Sequence, residues 1–407
     1  MLVLYHARLW KVVIILILSL TALDVQSQGK SSPFFDMLDG RFDMSDYLSE
    51  NAYGFLPVPI IITDPAVDGG LGAIGLFFHE SEEEKLKRLK AMKKTDKGAA
   101  KHLMPPSVSA VAAAVTGNDS FFYGGGHMGF FKQGRIRYKG GGGYGDVNLD
   151  YFGSGNVNFQ SPIALNTKAN GVFQSVQFKL AESVFFLGVS QRYISADISQ
   201  NSLGDLNLIL PPDYADELEN LLSIDVTISA LGLNLEFDTR DNVFSPQQGY
   251  RYTMEYLWFR DVIGSDIDYE LVSFDALHYW SLAEQWRMGL RIDSEFARVD
   301  DLLPPFVTPF IDLRGIPAMR YQGNLIGIVE IELNWQLDSR WGLMGFSGVG
   351  RASNSTAEFS NAPSQVTKGF GFRYQVARRY GFDAGLDFAW GPEDFVWYIT
   401  VGSAWGR

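Results

Sequence analysis

IDLRGIPAMRYQGNLIGIVEIELNWQLD, residues 311–338, is the stretch whose reading decides the fold. In its second half Leu325, Gly327, Val329, Ile331, Leu333, Trp335 and Leu337 share one parity. Glu330, Glu332, Asn334, Gln336 and Asp338 share the other, after an apolar start at Ile326 and Ile328. A period of two is that of an extended strand with one apolar and one polar face. The first half carries Leu313-Arg314-Gly315-Ile316 inside a long connection that begins near Asp300.

The same alternation recurs outward from this stretch. Tyr252, Met254, Tyr256 and Trp258 share one parity, and so do Trp286, Met288, Leu290, Ile292 and Phe296. Opposite the second set stand Arg287, Arg291, Asp293 and Glu295. Charges of both signs are costly against lipid, so this face should line an interior. In 380–390, Tyr380, Phe382, Ala384, Leu386 and Phe388 should face out, with Asp383 and Asp387 facing in. Aromatic residues make up 14% of the chain and glycines number 42. That suits strands with lipid-facing side chains and aromatic girdles better than a soluble all-β core.

Residues 1–27 read as a secretory signal peptide: Arg8 and Lys11, an apolar run over 12–20, then Val25-Gln26-Ser27. The run is too short to cross a bilayer as a helix, and no later run is long enough, so any crossing must use strands. The fold class is therefore all-β, a transmembrane antiparallel β-barrel over 54–405, preceded by a short periplasmic or plug segment, 28–53. Counting gives about 15 or 16 strands, and the even number is preferred. The open point is whether 57–63 is a barrel strand, which also decides the side faced by the charge-dense run 82–101.

Other local readings follow. Asp36, Asp39, Asp43, Asp46 and Glu50 alternate with Phe34, Phe35, Phe42 and Tyr47, but Asp36-x-x-Asp39-Gly40 lacks the spacing of a calcium loop. Residues 199–222 read as an extracellular loop. In 224–238, Ile224, Val226 and Ile228 have one parity while Leu231, Leu233, Leu235 and Phe237 have the other, so a bulge near Ala230 is expected. The glycines at 124–126 and 140–143 lack a P-loop pattern; they should allow a bend or close backbone approach, giving room for a loop folded into the lumen.

Three motifs together resemble the BamA/TamA-type outer-membrane barrels, the bacterial surface antigen family. They are Arg314-Gly315-Ile316 followed by a Glu-rich strand; Asp238-Thr239-Arg240-Asp241 with Pro246 and Gly249; and WYITVGSAW, 397–405, with Gly402 and a near-terminal aromatic, Trp405. The resemblance implies 16 strands and an inward-folded loop with Arg314 at its tip, meeting acids on the inner wall. Glu332 sits where the family keeps an acid, Asp387 is the favoured partner and Asp383 shares its face. The resemblance also implies a periplasmic turn at 238–249 and a C-terminal recognition signal. Three features depart from the family pattern. Gly348 stands where members often have aspartate. Gly406-Arg407 follows the terminal aromatic. Only 28–53 separates the signal peptide from the barrel, where members that handle substrates carry periplasmic domains.

Chemistry of other classes is not expected. The chain has no cysteine, its five histidines have no metal-ligand spacing, and no Gly-x-Ser-x-Gly occurs. His127 and His278 are lone candidates for an outer-wall hydrolase, and the reading is no enzyme, no cofactor and no metal. The net charge of −13 disfavours nucleic acid. Two functions remain open. One is a factor that inserts or exports envelope proteins through a lateral seam between first and last strands, with unfolded outer-membrane proteins as substrates and a periplasmic or barrel partner subunit. The other is a closed barrel acting as a small pore or structural subunit of an envelope complex. Both place the chain among the lipids of a Gram-negative outer membrane.

Overall fold

The computed structural model describes residues 34–47, 55–79, 107–155, 159, 162–200, 224–242, 245–300, 302–378 and 381–405. The strands in order are β1 (Phe55–Ile62), β2 (Gly70–His79), β3 (Ser107–Thr116), β4 (Phe121–Phe131), β5 (Ile136–Tyr151), β6 (Ile163–Lys179), β7 (Phe185–Gln200) and β8 (Ile224–Asp238). Then come β9 (Gly249–Phe259), β10 (Tyr269–Ala283), β11 (Trp286–Arg298), β12 (Leu325–Gln336), β13 (Trp341–Ser353), β14 (Gln365–Ala377), β15 (Phe382–Trp390) and β16 (Phe395–Val401). Each strand pairs with its neighbour in chain order, forming a 16-stranded antiparallel sheet curled into a nearly closed barrel. The questioned stretch is therefore a barrel strand, β1. The run 82–101 and most of the 199–222 loop lie outside the described residues.

Alternation explains the wall. On β12, Val329, Ile331, Leu333 and Trp335 are 39–44% exposed, whereas Ile326, Ile328 and Glu330 are 0–2% exposed. The first set forms the apolar outer face that a bilayer would cover. One end of the barrel, the tight-turn end, has short connections such as 284–285 and 337–340 besides the longer 80–106; the other, the long-loop end, carries 299–324 between β11 and β12 besides short ones such as 117–120.

Two local expectations are corrected. The register of β8 with β7 runs without a shift through Arg192↔Ala230, so there is no bulge. Val226, Ile228 and Ala230 keep the inward parity of Asn234 and are buried against Leu257, Phe259 and Leu271, with Leu303, Phe306 and Val307 of the long connection packed on them. The lumen itself turns apolar near its long-loop end, so hydrophobicity changed face while the backbone did not. At the glycine runs the expected close backbone approach is present, and only the expected room for a loop is corrected. A Cβ on Gly124 would lie 2.7 Å from the Gly142 carbonyl oxygen, and one on Gly141 2.8 Å from that of Gly125. The close approach is between β4 and β5 themselves. β6 begins at Ile163 with a polar half whose Asn166 donates to Asp146 and Asn148.

Candidate functional site: a loop lock beside an unpaired seam

The 299–324 connection folds back into the barrel on apolar anchors. Ile311, Leu313 and Ile316 are buried with Ile326 and Ile328 of β12. The Ile316 N–H donates to the Leu313 carbonyl at 3.0 Å, which closes a tight turn with Arg314-Gly315 at its tip. Gly315 has φ +93°, and a Cβ there would lie 2.9 Å from the Gly391 nitrogen, so both backbone and space require glycine. Gly348 and Gly350 on β13 are the floor: a Cβ on either would approach Leu313 or Ile311 to 2.7 Å. Gly348 thus matters as space for the loop.

Arg314 is held by three carboxylates. Nε donates to Glu330 at 2.8 Å, Nη1 donates to Asp387 at 3.1 Å, and Nη2 forms an ion pair with Glu332 at 3.1 Å. Its guanidinium lies 3.6 Å from the Phe346 ring centroid. Glu330 and Asp387 are fully buried. Arg373 of β14 also grips Asp387 with both Nη atoms, and Thr400 of β16 donates to it at 3.2 Å. The Gly315 N–H donates to the Tyr398 hydroxyl at 2.9 Å. The arginine–carboxylate bonds among these are charge-assisted and about twice as strong as neutral ones. Farther out, Arg320 of the same connection forks onto Glu393 between β15 and β16. The loop therefore ties β12 through β16 into one unit.

Glu330, as fully buried as Asp387, reads in the sequence only as one member of the polar face of β12. Its signal was its pairing opposite a glycine, Gly348, where a side chain on the loop needs room. Asp383 does not meet Arg314. It lies four residues from Asp387, about 13 Å along the strand, and accepts from the Ser245 hydroxyl at 2.6 Å. The 238–249 turn is built as its residue types imply. Asp238 takes a two-pronged bond from Arg240, both side chains being buried, and Asp241 accepts the Gln247 N–H at 2.9 Å. Pro246 is buried, and Gly249 takes φ +108° against the Thr239 carbonyl.

The C-terminal stretch does not continue as a strand. β16 ends at Val401, Gly402 turns with φ +77°, and Trp405 swings into the lumen, 5% exposed. Its indole Nε1–H donates to Glu330 at 2.5 Å, and its ring fills the space above Gly289. A buried indole needs an acceptor, and the second oxygen of Glu330 supplies one.

The seam lies beside this lock. Among the described residues no ladder joins β1 to β16; each is paired on one side only. The sequence of β1, FLPVPIII, explains this. In an antiparallel ladder alternate residues bond to one neighbour or the other. Proline has no N–H, so the unbroken ladder with β2 places Pro57 and Pro59 at positions facing the seam. Closure would leave two β16 carbonyls without donors where there is no water to replace them, at several kcal/mol each.

A second cluster, missed in the sequence, fastens the 34–47 segment to the tight-turn end. Arg340, between β12 and β13, is buried and bonded to Asp36 at 2.6 Å, Asp39 at 2.7 Å and Asp43 at 2.5 Å. Tyr374 donates to the Phe42 carbonyl, and the Met44 N–H donates to the Val376 carbonyl. The acidic spacing serves a buried guanidinium. The Arg340 hydrogen bond holds Asp39 below the usual carboxylate range. Burial alone would raise Asp43, but bonds from Ser45 and Arg340 bring it down. Backbone N–H groups of Arg340 and Trp341 take Asp338 down to about 2.

His127 and His79 both bond the Ser109 hydroxyl, at 2.9 and 2.8 Å, and His278 bonds Tyr252 at 2.6 Å. No group of three or more His, Cys, Asp or Glu suited to a metal gathers among the described residues.

Solved barrels that share this architecture include BamA and CdiB proteins. BamA from Haemophilus ducreyi lacking POTRA domains 1–3 superimposes with a TM-score of 0.55 at 11% identity, over 86% of this chain and 70% of that one. CdiB from Escherichia coli gives 0.55 at 10% identity over 85% and 62%, and CdiB from Acinetobacter baumannii gives 0.54 at 10% over 85% and 59%. The chain spans about 60% of the length of the CdiB chains. At such identities the likeness is one of fold: the chain is a 16-stranded barrel of the BamA and CdiB type. No known protein family and no curated protein matches the sequence.

Proposed function

We propose that this chain is an outer-membrane barrel of a Gram-negative envelope that helps insert or export other envelope proteins through the β1/β16 seam. The observation that carries the reading is the juxtaposition of an unpaired seam with a lock that stiffens β12 through β16 on one side of it. A strand edge without a partner is a template for another strand. The substrates would be unfolded outer-membrane proteins, delivered by a periplasmic or barrel partner subunit. The chain works without catalysis, cofactor or nucleic acid in this reading.

A second reading, a structural subunit or small pore, is favoured by one observation: Pro57 and Pro59 make the β1 edge a poor acceptor of strands. A disulfide lock separates the two. The chain has no native cysteine, so one cysteine walked along β1 and another at Val401 give an unambiguous crosslink. Loss of envelope-protein assembly or export in the locked form, restored by reductant, supports seam opening. Full function of the locked barrel rejects it and leaves the structural role.

A further inference from the structure

We infer that the seam is one-sided: an incoming extended segment adds to β16 and not to β1. The inference rests on the seam reading above and names its acceptor edge. Of the β1 residues that face the seam, Phe55, Pro57, Pro59 and Ile61, only the outer two carry an N–H. They stand six residues apart, about 20 Å of strand. Between them the edge accepts hydrogen bonds but donates none, so a strand laid there keeps orphaned carbonyls in hydrocarbon.

The opposite edge has the reverse character. β16, FVWYITV, contains no proline, so every residue can donate and accept. It is also held still from within. Tyr398 takes the Gly315 N–H, Thr400 donates to Asp387, and Val396 is buried on the same face. An edge fixed in advance loses less entropy when a strand docks. Phe395, Ile399 and Val401 project outward and are 43–51% exposed. The occupant that fits is an antiparallel strand with apolar residues at alternate positions matching this outer row, as in the transmembrane strands of an unfolded barrel protein.

The test uses the full chain in detergent, with a single cysteine at Ile399 or at Ile61 and a synthetic strand peptide of alternating valine and threonine bearing one cysteine. Disulfide adducts are read on non-reducing gels. The expected result is at least about ten-fold more adduct with Ile399→Cys than with Ile61→Cys, equivalent to about 1.4 kcal/mol. Pro57→Val with Pro59→Val should restore donors and raise the Ile61→Cys adduct several-fold. Equal adducts at both positions, a preference for Ile61→Cys, or no response to the proline replacements overturns the one-sided seam while leaving the seam itself. Adducts at neither position overturn the proposed function as well.

Discussion

Replacing Arg314 by alanine should destabilise the barrel by about 3–5 kcal/mol, the usual cost of removing one member of a buried ion pair. The working is local. Arg314 is 10% exposed in its side chain and faces Glu330 and Asp387, both 0% exposed, and Glu332, 14% exposed. Asp387 would keep Arg373 and Thr400, so it would not be stranded. Glu330 would keep the Trp405 indole, with Arg291 3.9 Å away. Glu332 would keep an Asn334 amide. The loss therefore falls at the lower end, about 3 kcal/mol, including the contact with Phe346. Heat-dependent gel mobility and urea titration in detergent would measure it. Arg314→Lys keeps the charge without the planar fork and should fall between alanine and the native residue. Arg314→Ala combined with Glu330→Gln should recover part of the loss, because it removes the buried negative charge that would keep only the Trp405 indole as a hydrogen-bond partner. A single alanine variant within about 0.5 kcal/mol of the native barrel, the range of an ordinary surface change, would refute the lock.

Gly348→Asp installs the aspartate common in the barrels the chain resembles but drives a Cβ to 2.7 Å from Leu313, so it should lower stability by about 1–3 kcal/mol; an unfolding midpoint at or above the native one would show that the loop is not seated there. Trp405→Phe removes the hydrogen bond to a buried carboxylate and should cost about 1.5–3 kcal/mol in the folded barrel. If Trp405 served recognition alone, assembly yield would fall while the folded barrel melted unchanged. The 34–47 clamp should be insensitive to pH above the ordinary carboxylate pKa of about 4. Asp39 and Asp43 have lowered folded values, so their stabilisation is complete above that point and is lost as pH falls through those values. Hydrogen–deuterium exchange of the 34–47 peptide between about pH 2 and pH 7 should show release only below about pH 4; release at about pH 6 would point to a different fastening.

Alternation in the sequence determined the strands, the outer face and the polar lumen, because a period of two is a local property that each strand carries alone. The same pattern put Asp387 on the inner wall, whereas the inward Arg314 loop is an expectation of the family resemblance and not of periodicity; residue chemistry shaped the Asp238–Gly249 turn. What only the tertiary structure decided was which inner-wall groups meet. Glu330 rather than Asp383 holds Arg314 because loop depth and strand stagger set the height at which the tip arrives. The apolar inward face of β8 reads as a bulge only if the lumen is uniformly wet, whereas the returning connection fills its long-loop end with Leu303, Phe306 and Val307. Arg340 and its three aspartates are separated by about 300 positions in the chain, and no local pattern links them. Trp405 reads as the end of a strand until a cavity above Gly289 and a free carboxylate oxygen draw it inward. The unpaired seam was written in the sequence as Pro57 and Pro59, but only the register with β2 revealed which way their missing donors face.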